Sequence, residues 1–589
     1  MKNFFTTVLG SFVGVWLALI LFSVISVIMS FAIFGSMLGS MSEGTKPVQD
    51  KSILYINLKG AIPERSLGQD MLSTILKEEG SGSSLETILN SIKVAKDNDK
   101  IKGIFIECNG NGGGLASLYE IRNALNDFKA SKKFVYAYGN EGISQGDYYV
   151  ASAADSVFLN PVGVVDIHGL SATIPFFKNL LDKIGVEMQV IRVGSFKSAV
   201  EPFIATEASP ANRLQNEVYM KSLWGNMCDS ISKSRKISVE KLNIIADSML
   251  ITQKGECLIA NKIVDKLYYR FQVIDNLKTL TGIEKTDDIR FATPDEVCAL
   301  KKDKESSDNK IAVIYAEGEI DGTSDNGINS ADLCKDIIDI ASNEDVKGVV
   351  LRVNSPGGSA FGSEQIWKAL EEVKKAGKPF AVSMGDVAAS GGYYISCGAD
   401  RIFAEPVTIT GSIGIFGMIP CFKGLMEDKL GITQSVISTN ANGNLMSVTE
   451  PMTPIQRAAM QRMINNGYDL FTHRCATGRK MPIDSLLAIA QGRVWDGINA
   501  KKIGLIDAYG NVQDAIKWVT TKAKLTNYTL ENYPELQDPF LKYLNGYMTT
   551  KMNAMVANET GELYKYHNVA KQILGRDHIQ CLMEPVVIR

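Results

Sequence analysis

Histidine is scarce in this chain. His168, His473, His567 and His578 are its only four in 589 residues, and none sits in a motif that supplies a nucleophile with an imidazole base or a metal with ring nitrogens. The last three read as surface positions, and His168 is left to reach a distant site only through the fold. The nine cysteines (108, 228, 257, 298, 334, 397, 421, 475 and 581) include no C-x-x-C pair. That excludes zinc ribbons and thioredoxin-like redox motifs, and the odd count predicts no disulfide framework. Small buried hydrophobes is the expected role for most of them. No G-K-[ST] follows the G-G turn at 357–358, so it is not a phosphate loop. A net charge of −3 gives no electrostatic footprint for nucleic acid. Nothing in the sequence asks for a metal or an organic cofactor.

Charge is also missing from one long stretch. No ionisable side chain lies between Lys2 and Glu43, and residues 8–34 are mostly Val, Leu, Ile, Phe and Ala. Roughly 20 apolar residues cross a bilayer core. The run is too long for the core of a cleaved signal peptide, and no A-x-A site follows it. Residues 1–45 are therefore expected to be an uncleaved membrane anchor, in contact with lipid through 8–34. The basic bias of its flanks is slight, and it favours the bulk of the chain outside the cytoplasm by a small margin.

What the chain does have is a long internal repeat. Residues 102–125, K-G-I-F-I-E-C-N-G-N-G-G-G-L-A-S-L-Y-E-I-R-N-A-L, match 347–370, K-G-V-V-L-R-V-N-S-P-G-G-S-A-F-G-S-E-Q-I-W-K-A-L, at an offset of 245. The offset becomes 246 where Ser144 meets Ser390, and one gap restores 245 at Tyr148-Tyr149 and Tyr393-Tyr394. Each unit reads as buried strands alternating with helices, for example apolar runs at 311–316, 348–353 and 380–384 with a helical stripe of Ile366, Leu370 and Val373 between two of them. That pattern predicts a duplicated α/β fold with parallel crossovers. The polar run at 301–310 marks a linker between a first repeat, 46–300, and a second, 311–525. A tail, 526–589, carries a helix expected around 543–556 and no assigned role.

Chemistry concentrates in the second copy. Ser390 lies in M-G-D-V-A-A-S-G-G-Y-Y (384–394), between an apolar strand and a helical segment. Small neighbours expose its hydroxyl and bring backbone N–H groups close, which suits a nucleophile with a main-chain oxyanion hole. On its own, a serine before two glycines is more often a helix cap. N-S-P-G-G-S (354–359) follows another strand, and its glycines let N–H groups turn toward a bound oxygen. The missing base is expected to be Lys197, in R-V-G-S-F-K-S-A-V-E-P-F (192–203), where Phe196, Ala199, Val200 and Phe203 give it apolar company. A lysine acts as a base only when burial brings its pKa from about 10.4 toward 7–8. The commoner alternative is a lysine laying its stem over an apolar surface. The repeat weighs against that alternative. The position 245 residues after Lys197 is Asn442, and the first copy lacks S-P-G-G, so each copy has kept a different half of a site.

These motifs, together with G-S-I-G at 411–414, resemble the SppA family of membrane-anchored Ser/Lys signal peptide peptidases in its long, duplicated form. The resemblance spans the anchor and both repeats, departing at Phe196, where a tyrosine often stands. It implies Ser390 as nucleophile and Lys197 as general base. It also implies Ser412 as the residue that orients the lysine amine, and backbone N–H groups of Gly357, Gly358 and Gly391 as the oxyanion hole. A ClpP/crotonase-like fold, homotetramers, signal peptides and other apolar peptides as substrates, and work on the outer face of the bacterial cytoplasmic membrane are likewise implied. A crotonase-like acyl-CoA enzyme would use the same kind of oxyanion hole but leave Ser390 dispensable. A non-catalytic scaffold would have no reason to keep the dyad in opposite copies.

Overall fold

The computed structural model describes residues 47–66, 83–301, 307–322, 327–535, 579–583 and 587–588, with Ile25 and Met29. The rest of the expected anchor, the centre of the linker and the expected helix at 543–556 lie outside the described residues. Among the described residues, no helix is long and apolar enough to cross a membrane.

Each copy forms one mostly parallel sheet. In the first, β1 (Ser52–Gly60), β2 (Ile101–Asn111), β3 (Phe134–Gly139) and β4 (Ser156–Leu159) lie side by side in chain order. Short strands flank them, Phe291–Ala292 beside β1 and Lys266–Leu267 beside β4. The helices that matter below are α1 (Leu115–Phe128) and α2 (Gln145–Ala151). The next strand used here, β5 (Glu187–Arg192), leaves this sheet.

The second copy repeats the plan with β6 (Lys310–Glu317), β7 (Val346–Ser355), the short β8 (Gly357–Ser359), β9 (Phe380–Ala389) and β10 (Ile409–Gly411). Its sheet runs β10–β9–β7–β6 and ends on β12 (Thr529–Tyr533), with β11 (Phe416–Cys421) lying elsewhere. Alternate residues explain why both faces are covered. Ile314, Leu351 and Val382 share one core with Ile366, Leu370 and Val373 of α3 (Ala360–Lys375). Ile311, Val313, Val350 and Ala381 meet Ala515, Ile516 and Val519 on the other face. Each buried Ile, Leu or Val among them contributes about 1.5–3 kcal/mol by leaving water. The sequence placed the end of this repeat at 525. The sheet instead reaches Tyr533, because β12 pairs in parallel with β6 just as Phe291–Ala292 pairs with β1.

Three contacts lock the copies together near the glycine-rich turns. β5 of the first copy pairs antiparallel with β11 of the second, from Phe416↔Arg192 to Cys421↔Glu187. Arg352 on β7, with its side chain 1% exposed, bonds Glu64 and Glu120 of the first copy at 2.8 Å each. Finally, Asp386 on β9 accepts from the N–H groups of Ala116 (2.7 Å) and Ser117 (2.9 Å) and from the Ser117 hydroxyl (2.7 Å). Helix α1 has Gly114 at its cap position with no side chain to offer, so the other copy supplies the cap.

Candidate active site

Ser390 closes β9 and precedes α4 (Gly391–Ser396). Its backbone sits at φ 55° and ψ −113°, a costly conformation for a non-glycine residue, and its N–H donates to the Gly411 carbonyl at 2.8 Å. The side chain makes no capping bond. Its Oγ lies 2.7 Å from Lys197 Nζ. The capping role fits the first copy instead: Ser144, at φ −65°, accepts from the Asp147 N–H at the start of α2.

Lys197 arrives at this point because β5 is stitched to β11, and it follows Arg192 by five residues. It is 1% exposed. Burial drives its pKa down to about 7, with the nearby Cys581 thiol pulling the other way. That corresponds to about 5 kcal/mol of differential solvation between the charged and neutral forms. The aromatic neighbours named from the sequence have partners of their own. Phe196 has the Arg493 guanidinium over its ring at 5.0 Å, and Phe203 stacks on Phe177 at 6.0 Å. Second-copy backbone closes on the lysine instead: a Cβ on Gly414 would stand 3.3 Å from its Cδ, and one on Gly492 2.7 Å from its Cβ.

The amine has three oxygen neighbours, Ser390 Oγ at 2.7 Å and the carbonyl and hydroxyl oxygens of Ser412 at 3.1 Å each. A neutral amine carries two N–H bonds and one lone pair. With both Ser412 oxygens accepting, the lone pair is left facing the Ser390 hydroxyl, the arrangement a general base requires. Ser412 is itself held at φ 51° by its N–H bond to the Arg493 carbonyl (2.7 Å).

Of the three glycines, Gly357 and Gly391 meet. Gly357 has φ 104°, and the Gly391 nitrogen lies 2.6 Å from where a Gly357 Cβ would be. Gly358 faces the Ile320 backbone instead, with Ser359 N–H bonded to the Ile320 carbonyl at 2.9 Å. The Gly357 N–H currently donates to Ser355 Oγ at 3.2 Å. His168 is not at the site: its Nδ1 sits 2.8 Å from Asp166 on the surface. No disulfide joins any of the nine cysteines, and six of them are buried.

Several contributors escaped the sequence reading. Ser355 and Ser363 press against Gly392 and Gly391, Asp386 caps the opposite copy, and the tail strand β13 (Ile579–Leu582) enters between β8 and β11. Asp386 did leave a trace: an acid inside an apolar run, opposite a helix start, G-G-G-L-A-S, without a cap of its own.

The model of peptidase family S49 matches residues 127–284 and 372–526. "Protease 4" of Salmonella typhi is 36% identical over 534 residues, covering 88% of this chain and 85% of that protein. "Serine protease SPPA, chloroplastic" of Arabidopsis thaliana is 29% identical over 81% of this chain and 70% of its own length. The "Putative signal peptide peptidase SppA" of Enterococcus faecium is 34% identical over 43% of this chain and 74% of its own length. A buried Ser–Lys pair on a duplicated α/β frame and this breadth of similarity lead to one conclusion: the chain belongs to peptidase family S49 and is a serine peptidase.

Proposed function

We propose that the chain is a membrane-anchored endopeptidase that hydrolyses signal peptides and other apolar peptides with a Ser390/Lys197 dyad. The observation that carries this is the 2.7 Å separation of Lys197 Nζ and Ser390 Oγ inside a pocket that burial makes hostile to ammonium. Lys197 takes the Ser390 proton as Oγ attacks the peptide carbonyl. The N–H groups of Gly357 and Gly391 converge on the developing oxyanion, while Gly358 shapes the turn. Protonated Lys197 then gives its proton to the leaving amine. Water, deprotonated by the same amine, releases the acyl group. Ser412 keeps the lone pair aimed throughout.

In this reading residues 1–45 are the anchor, with 8–34 in the bilayer and the catalytic part on the outer face of the bacterial cytoplasmic membrane. Repeats 46–300 and 311–525 supply base and nucleophile on either side of the 301–310 linker, and the chain works as a homotetramer. Anchoring beside a membrane-embedded substrate raises the effective concentration of both. The test is hydrolysis of an apolar peptide ester by Ser390→Ala and Lys197→Ala. Each is expected to lose about 10³-fold or more in kcat. Near wild-type turnover by either variant sinks the dyad.

A further inference from the structure

We propose that Gln215 is a positioning residue for the reaction, its side-chain amide holding Lys197 of the first copy in place against Ser390 and Ser412 of the second. The proposal rests on the dyad reading above. Gln215 lies on the helix Pro210–Arg235 and is 3% exposed. Its Nε2 donates to the Phe196 carbonyl at 3.2 Å and to the Ser198 hydroxyl at 2.9 Å, so it grips the chain on both sides of Lys197. Its Oε1 accepts from the Val494 N–H at 3.2 Å. The partners leave the amide no freedom to turn over, since a carbonyl only accepts and a backbone N–H only donates. Burying an amide costs free energy unless such partners replace water, and a methionine would fill the same space without that cost.

Val494 is where the second copy's half of the site is assembled. Residues 491–494 run between the lysine loop and the G-S-I-G loop. The Gln491 carbonyl accepts from the Phe196 N–H at 3.0 Å, and the Gly492 N–H donates to the Ile413 carbonyl at 2.7 Å. The Arg493 carbonyl takes the Ser412 N–H at 2.7 Å. Val494 pairs with Gly411, whose carbonyl accepts the Ser390 N–H at 2.8 Å. A closed circuit results. It runs from Ser390 Oγ to Lys197 Nζ, along the backbone to Phe196, through the Gln215 amide to Val494, across to Gly411 and back to the Ser390 N–H. Gln215 is the one side chain in that circuit outside the dyad.

Two further ties show what Gln215 adds. The backbone bond from Phe196 to Gln491 joins the same two segments, but a single bond lets a loop pivot about it. The Gln215 amide supplies the second point of attachment. Arg192 donates to the Lys197 carbonyl at 3.1 Å, with Glu201 3.7 Å from its guanidinium. That tie lies wholly within the first copy and cannot set the lysine against the second. A pivot of the loop would turn the Lys197 lone pair from Ser390 Oγ, and reactions are sensitive to such misplacement. It would also let water reach an amine that burial holds at about 7, beside the Cys581 thiol.

The experiment is a pH profile of peptide-ester hydrolysis by the full chain in detergent, for the wild type, Gln215→Met, Gln215→Glu and Ser222→Ala. Gln215→Met fills the volume and gives up the bonds, while Gln215→Glu keeps an oxygen for Val494 and loses the donors. In both, kcat on the plateau should fall about tenfold with KM held within about twofold. The ascending limb of kcat/KM should move up by about half a pH unit or more, because water in one case and the added carboxylate in the other favour the ammonium form. Ser222→Ala is the control. Its hydroxyl bonds Asp496 at 2.8 Å, so the same helix loses a bond to the same strand, Val494–Asp496, about 10 Å further along the helix. It should lose stability and keep the wild-type kcat and limb.

Gln215 variants that fold and keep the wild-type kcat and limb overturn the inference and leave the dyad standing. A Ser222→Ala chain with the same losses overturns it too, because the effect then belongs to the docking of the copies. Failure of both Gln215 variants to fold has the same consequence, the amide then serving the fold rather than the base. A wild type with no ascending limb brings down the lysine base itself, and this inference with it.

Discussion

The two copies put the same turn to opposite uses. In the first, the Gly110 and Asn111 N–H groups, which align with Ser355 and Pro356, point at the Asp147 carboxylate (3.0 and 3.3 Å). The Asn111 amide (2.6 Å) and the Ser144 hydroxyl (2.9 Å) bond the same carboxylate. Where the second copy could hold an oxyanion, the first has a side-chain carboxyl group of its own. The residue responsible falls where the offset of the repeat returns from 246 to 245: Ser144-Gln145-Gly146-Asp147-Tyr148 faces Ser390-Gly391-Gly392-Tyr393. One added residue turns a strained, uncapped serine into a relaxed capping one. It also leaves the first copy's turn filled by its own side chains.

The sharpest way to break this comparison is to remove both serines separately. Ser390→Ala should abolish turnover, by about 10⁴-fold in kcat. Ser144→Ala should leave peptide-ester hydrolysis within about twofold while costing about 1 kcal/mol of stability through the lost cap. Loss of activity in Ser144→Ala without unfolding would mean that the first copy has chemistry of its own.

Much of this division is legible in the sequence, and the reason is physical. Glycine turns, buried parallel strands and helical stripes leave period and composition signals, and duplication makes each signal count twice. Lys197 stands out in the sequence because the second copy's matching stretch, 438–447, holds no lysine. The Ser412 contact, the glycines 414 and 492 that bury Lys197, and the Asp386 cap depend on how one copy sits on the other, and no local pattern encodes that docking. β13 was invisible for the same reason: a four-residue strand in a long tail gains its meaning only from the edges it joins.

The next largest effect is expected at the seam. Arg352 neutralises two buried carboxylates, and burial still pushes Glu120 up to about 7 against the guanidinium's pull. Arg352→Met leaves those acids unpaired, and denaturant unfolding should show a loss of about 3–5 kcal/mol. An unchanged midpoint would mean that the copies do not depend on this triad to stay docked.

Glycine exchange compares the two turns directly. Gly357→Ala adds a Cβ at φ 104° where the Cys581 carbonyl oxygen lies, and kcat should fall by about 10²-fold or more. Its equivalent, Gly112, has nothing nearer than the Gly60 oxygen at 3.6 Å. Gly112→Ala should therefore change stability by about 0.5 kcal/mol or less and leave activity alone. Equal effects would erase the distinction between an open and a plugged turn.

The pH profile isolates the base. With its pKa lowered to about 7, Lys197 carries a proton below that pH and has no lone pair, so kcat/KM should rise with pH and level off above about 7. In the unfolded chain the amine holds its proton to about 10.4. The native state therefore binds fewer protons between about 7 and 10.4, and the destabilisation from burying Lys197, full below about 7, fades as pH rises across that window. A flat profile with chemistry rate-limiting would remove lysine from the role.

The smallest effect should come from Asp386→Asn. The amide keeps one acceptor oxygen for the N–H groups of Ala116 and Ser117, but it loses the charge that favours a helix N-terminus and the second oxygen that bonds the Ser117 hydroxyl. About 1 kcal/mol of stability is expected to go. Asp386 stands four residues before Ser390 on β9, so a loosened cap should also let the nucleophile drift from Lys197. A fall in kcat of a fewfold without a change in KM would tie the first copy's helix to the second copy's chemistry. A loss of stability with kcat untouched would confine the cap to holding the two halves together.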